Sequence, residues 1–102
     1  MPFIIETFDK PGHQAVRQAH RPAHLDFLDT HKHLLLACGA KLADDGSDLG
    51  GGLYVVELDT REAAQSFIES DPFFQAGLFE RVSITRWRQA YVAGTSHLPA
   101  AA

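Results

Sequence analysis

The sequence predicts an antiparallel α+β domain of β-α-β-β-α-β order, the ferredoxin-like arrangement, with two helices on one face of the sheet. Three observations lead there. Runs rich in β-branched and aromatic residues alternate with segments of helical spacing in that order. Two of the runs flank a polar, glycine-rich connector. The length of 102 residues fits one domain with one modest core.

The elements follow in chain order. Phe3-Ile4-Ile5-Glu6-Thr7-Phe8 reads as a first strand and stops at the turn signal Asp9-Lys10-Pro11-Gly12. Residues from His13 to Ala19 suit a helical turn or two, and Pro22 either kinks that helix or opens a new one. Beyond it Leu25, Leu28 and Leu35 recur at helical spacing with Phe27 beside them, so the helix is expected to end near Lys32 or His33. Leu34 to Leu42 reads as a second strand interrupted by Gly39. Asp44 to Gly52 reads as a connector and Leu53 to Leu58 as a third strand. Asp59 or Thr60 can cap a second helix carrying Ala63, Ala64, Phe67 and Ile68. Asp71-Pro72 ends it, a short helical piece follows to Gly77, and a final strand is expected from Phe79 to Val92. The domain is therefore placed at residues 1–93, with 94–102 as a flexible C-terminal tail.

Composition narrows the function classes. A net charge of −4 offers no long-range attraction for nucleic acid or for an anionic membrane surface, and neither is expected as a partner. No run has the apolar length of a membrane span, and the first residues lack the basic region and cleavage site of a signal peptide. The single cysteine, Cys38, cannot form an intramolecular disulfide, so a reducing cytoplasm is the expected location. Apolar and aromatic residues fall on both strand parities, Ile84 against Trp87 and Tyr91 for example. With both helices on one sheet face, the other face would remain uncovered in a monomer, and a homodimer joined face to face is expected.

Two segments carry a family resemblance. Arg21-Pro22-Ala23-His24-Leu25-Asp26-Phe27-Leu28 resembles the Arg-Pro-x-His-Leu-x-x-Leu motif of the YCII (YciI-like) family. Asp71-Pro72-Phe73-Phe74-Gln75-Ala76-Gly77-Leu78 is similar to that family's Asp-Pro-aromatic-x-x-Ala-Gly signature, and Glu80-Arg81-Val82-Ser83-Ile84 resembles its final strand. With the element order, the resemblance runs from Phe3 to Tyr91. It implies a dimeric α/β-barrel fold and a site with a histidine on the first helix and an aspartate after the second, here His24 and Asp71. Some relatives act on small cyclic or halogenated aromatic breakdown products, dehydrochlorination included, and muconolactone isomerases share the architecture. The chain departs from the pattern after the second strand, where many relatives have Gly-Pro and this sequence has Gly39-Ala40. The adjoining Gly50-Gly51-Gly52 is not expected to fix a side chain firmly, so a wall built there can differ from that of relatives.

The residues themselves suit acid–base chemistry. An imidazole titrates near neutral pH and can take or give a proton, and a neighbouring carboxylate fixes its tautomer and stabilises its charged form. His24 and Asp71 can form such a catalytic pair if the fold joins them. Asp71 has a bland alternative as a helix cap before Pro72, and the pair can equally be a buried structural tie. Arg21 can hold a substrate carboxylate through its forked donors, or it can be solvated or paired with Asp26 or Glu6. Trp87 and Tyr91 can line a pocket, though interface packing is the default.

Metal and cofactor motifs are weak. His20 and His24 are spaced for one helical face, as are Asp29 and His33, yet Pro22 interrupts the first pair and no His-Glu-x-x-His stands in the chain. The glycine run precedes a strand rather than a helix and is no phosphate loop. Asp44, Asp45 and Asp48 lack the spacing of a calcium loop. Cys38 reads as a small packed apolar residue. No metal or cofactor is expected. The reading is a cofactor-independent enzyme working on a small organic acid, lactone or aromatic breakdown product, with a non-catalytic dimeric ligand-binding module as the alternative.

Overall fold

A computed structural model describes residues 1–100. The elements are β1 (Phe3–Asp9), α1 (Gln14–Thr30), a 3-10 turn (Lys32–Leu34), β2 (Leu35–Leu42), β3 (Asp48–Val56), α2 (Arg61–Glu69), α3 (Pro72–Gln75), β4 (Phe79–Arg86) and the short strands β5 (Tyr91–Val92) and β6 (Thr95–Ser96). The main sheet has the order β2-β3-β1-β4, and every neighbouring pair is antiparallel. This is the expected ferredoxin-like arrangement.

The core lies on one face of the sheet. Along β1 burial alternates, with Phe3, Ile5 and Thr7 buried between half-buried Ile4, Glu6 and Phe8. Ile5 stands opposite Tyr54 and Ile84, and Phe3 opposite Val56. These residues meet Ala64, Phe67 and Ile68 of α2, while Phe27 and Leu28 of α1 pack against the same cluster. Each large side chain taken fully out of water contributes about 1.5–3 kcal/mol, so this cluster is the main source of stability. Thr60 caps α2, its side chain accepting from the Ala63 N–H at 3.1 Å.

Several expected boundaries move. Of the two expected courses, Pro22 does not open a new helix. It sits inside one continuous α1, exposed to solvent, where only one backbone hydrogen bond is forfeited. The α-helix ends at Thr30, His31 closes its last turn by donating from its backbone N–H and from Nδ1 to the Phe27 carbonyl, and Leu35 belongs to β2 rather than to the helix. The final strand stops at Arg86 instead of reaching Val92. There the chain leaves the sheet, the Trp87 N–H donates to the Pro2 carbonyl, and Tyr91–Val92 pairs with Thr95–Ser96 in a separate hairpin. Ala93 and Gly94, both at positive φ, form its tip. The expected domain boundary at residue 93 falls on that tip, and residues 101–102 of the expected tail lie outside the described residues.

The largest difference concerns the glycine run. Only Ala43 to Ser47 forms the turn between β2 and β3, and Gly50, Gly51 and Gly52 are part of β3. Gly51 has φ +146, and a Cβ there would lie 2.1 Å from the Thr7 carbonyl oxygen. Gly52 is buried, and its N–H donates to Thr7 Oγ1 at 2.9 Å. The glycines are therefore the condition for β1 and β3 to close on each other, and the wall they make is well defined. Gly51→Ala is expected to destabilise the protein by at least about 2 kcal/mol, read from the midpoint of urea unfolding at unchanged slope.

Candidate functional site

The site is assembled from three places in the chain. Asp71 stands between α2 and α3, where Pro72 in the first helical turn demands an extended residue before it, and Asp71 supplies it at φ −66 and ψ 130. Its side chain turns back to cap α3, accepting the Phe73 N–H on Oδ1 at 2.8 Å. Tyr54, on β3, donates its hydroxyl to Oδ2 at 2.8 Å. His24, on α1, brings Nδ1 to 3.0 Å from Oδ1 and 2.9 Å from Oδ2. Asp71 is 0% exposed and His24 12%.

That network dictates the imidazole's tautomer. Every partner of Asp71 is a donor, so the proton lies on Nδ1 of His24, and the neutral ring keeps its lone pair on Nε2. Nε2 makes no hydrogen bond among the described residues. The ring is further fixed by stacking on Phe73, with centroids 4.0 Å apart and planes inclined by 18°. Arg17 lies over the same Phe73 ring at 4.6 Å and holds Asp9 through Nε at 2.6 Å and Nη2 at 3.0 Å. Burial alone would weaken the charge on Arg17, but the hydrogen bonds and charge of Asp9 outweigh it and raise its pKa.

His24 opens onto a cleft of about 230 Å³ between α1 and the β2–β3 half of the sheet. Leu25 and Leu28 face it from α1, and Gly51, Gly52 and Tyr54 from β3. Arg21 also lines it, one helical turn from His24, exposed and with no ion pair among the described residues. It pairs with neither Asp26 nor Glu6. Glu6 is held instead by Lys41 at 3.3 Å. Among the described residues the cleft thus offers an imidazole nitrogen without a hydrogen-bond partner, the uncommitted cation of Arg21 and an apolar wall.

Two residues at this cleft were not singled out by sequence reasoning, and a third was misplaced by it. Tyr54 reads as one more aromatic strand residue until Asp71 is placed beside it. Arg17 has its partner eight positions back, a pairing that only the β1–α1 turn creates. Cys38 is no packed core residue: it lies exposed on β2 and lines the cleft, its thiol pushed up to about 11, first by partial burial and then by the charge of Asp71. Trp87 and Tyr91 do not line it, and Tyr91 is 60% exposed on the outlying hairpin. Among the described residues no group of three or more histidine, cysteine or acidic side chains is gathered as a metal site, and His24 spends Nδ1 on Asp71 rather than joining His20.

Fold and cleft define a class: small ferredoxin-like α+β proteins with a histidine–carboxylate pair at the edge of a pocket between the first helix and the sheet. The chain belongs to the YCII-related domain family, whose model matches residues 1–88. It is 32% identical over 98 residues to the protein YciI of Escherichia coli O6:H1 and to that of Shigella flexneri, an alignment covering 89% of this chain and the full length of each relative. Among solved structures it is similar to the 5-chloro-2-hydroxyhydroquinone dehydrochlorinase TftG of Burkholderia phenoliruptrix AC1100, solved with 2,5-dihydroxybenzoquinone. The TM-score is 0.79 at 34% identity, over 86% of this chain and 94% of that one. A protein of Bacteroides thetaiotaomicron assigned as an antibiotic biosynthesis monooxygenase shares the fold, with TM-score 0.55 at 11% identity over 91% of both chains. No helix among the described residues is long and apolar enough to cross a membrane.

Asp71 carries a cap, a buried tyrosine and a histidine at once, and removing it strands the Tyr54 hydroxyl. Asp71→Ala is expected to cost about 3 kcal/mol, measured by chemical denaturation.

Proposed function

We propose that the protein is a cofactor-independent acid–base enzyme acting on a small organic acid, lactone or aromatic breakdown product by proton transfer, isomerisation or elimination. The observation that carries this reading is the orientation of His24. Asp71 holds the proton on Nδ1, and the lone pair of Nε2 is left free on a residue that lines the cleft beside uncommitted Arg21. Similarity to a dehydrochlorinase over most of both chains supports it.

His24 is the general base or acid, Asp71 its orienter and Arg21 the clamp for a substrate oxyanion. In an elimination, Nε2 takes the substrate proton and the electrons of that bond form the new π bond. The leaving anion departs with the electrons of its own bond to carbon. Asp71 stabilises the imidazolium until the proton is given up. The guanidinium of Arg21 neutralises charge on the substrate oxygen.

A panel of halogenated hydroxyhydroquinones and small lactones tests the reading. With a substrate that turns over, His24→Ala is expected to lower kcat about 10²–10⁴-fold while stability falls by about 1–2 kcal/mol. Arg21→Ala is expected to raise KM about tenfold with kcat nearly kept. Wild-type turnover in His24→Ala would sink the assignment. The other duties of Asp71, capping α3 and holding Tyr54, favour a second reading in which the pair only shapes a ligand-binding module. Binding without turnover in the wild-type protein would select it.

The working unit we propose is a homodimer. On the face of the sheet away from the helices Ile4 pairs with Val55 and Glu6 with Leu53, and Leu53 is 40% exposed at the middle of that surface. Light scattering at micromolar concentration is expected to give twice the chain mass; the mass of one chain would overturn this part.

A further inference from the structure

Asp71 divides its charge among three donors, and only one of them is the histidine. His24 Nδ1 is almost equally far from both oxygens, at 3.0 and 2.9 Å. The Phe73 N–H holds Oδ1 and the Tyr54 hydroxyl holds Oδ2, each at 2.8 Å. The first of these comes with any helix that starts at Pro72. The second is a side-chain choice. Tyr54 is 2% exposed in a cluster otherwise made of apolar residues such as Ile5, Val56 and Phe67, where phenylalanine would fill nearly the same space. A buried hydroxyl costs desolvation, and here its return is the bond to Asp71.

We propose that Tyr54 is a positioning residue of the His24 centre, its hydroxyl withholding part of the charge of Asp71 from the imidazole and so setting how readily His24 exchanges a proton. The idea rests on the acid–base reading of His24 above. An oxygen lone pair engaged by an O–H is less available to the imidazolium. Without the hydroxyl, fully buried Oδ2 has His24 alone to satisfy it, and the protonated ring is favoured. Tyr54 remains a donor throughout the working range, because burial first and the charge of Asp71 second raise its pKa well above that of an ordinary tyrosine.

The other charged or titratable groups lining the cleft with the imidazole are Arg17 and Arg21 from α1 and Cys38 from β2. Arg17 is offset by Asp9, and none of the three bonds to Asp71. None of the three is substituted when only the Tyr54 hydroxyl is removed, so the comparison of the two proteins isolates that group.

The test is a proton NMR titration of the His24 ring in the full-length protein, with its signal identified by its loss in His24→Ala. In Tyr54→Phe the protonation constant of His24 is expected to rise at least about threefold, and the acidic limb of the kcat/KM profile to move to higher pH with it. Replacing both tyrosines by a fluorotyrosine, a stronger hydrogen-bond donor, is expected to lower the constant. The second tyrosine, Tyr91, is exposed outside the cleft and does not confuse the comparison. An unmoved or lowered constant in Tyr54→Phe overturns the proposal, whatever happens to stability, and the fluorotyrosine protein decides if that variant does not fold. A shifted His24 in a protein that turns nothing over refutes the enzyme reading while leaving the influence of Tyr54 on His24 in place.

Discussion

A fully buried carboxylate with three donors holds together the half of this molecule that carries the cleft. Asp71 ties α1 through His24, the central sheet through Tyr54 and its own helix through the Phe73 N–H. A buried acceptor left short of partners costs about 1–3 kcal/mol or more, so each of the three elements is constrained by the other two. The position of His24 is thus not set by α1 alone, which has no buried residue. It is set by what Asp71 requires.

The cleft exists because of a second constraint on the opposite wall. β3 can pass Thr7 closely only where it has no side chain, and the same bare stretch leaves space beneath α1. Phe73 then links the wall to the charge system. It offers its N–H to Asp71, its face to His24 and the same ring to Arg17, which is itself anchored on Asp9. Packing and electrostatics are therefore carried by the same few side chains.

Much of this was legible in the sequence, for identifiable reasons. The order of elements follows from periodicity, and periodicity survives in β1, in α2 and in the hydrophobic half of β3. His24 and Asp71 were marked by the residues around them, Pro22 and Pro72 included, and the structure brings them within hydrogen-bond distance. The start of β3 was not legible, because glycine in quantity looks the same in a loop and in a strand pressed against a neighbour. Nor was the shape of α1: whether Pro22 breaks a helix depends on whether neighbouring contacts hold the chain on either side. Tyr54 was hidden for a third reason, since its partner lies seventeen positions away and only the fold brings them together.

The way α1 is mounted has an evolutionary side. Arg21 and Leu25 line the cleft from exposed positions on a helix with no fully buried residue, so exchanging them changes the shape and charge of the cleft while leaving the foundation of the fold almost untouched. His24 and Asp71 have no such freedom, because each is answerable to the other. Substitution in such a protein is channelled: the cleft wall on α1 tolerates exchange, while His24 and Asp71 can change without cost only together.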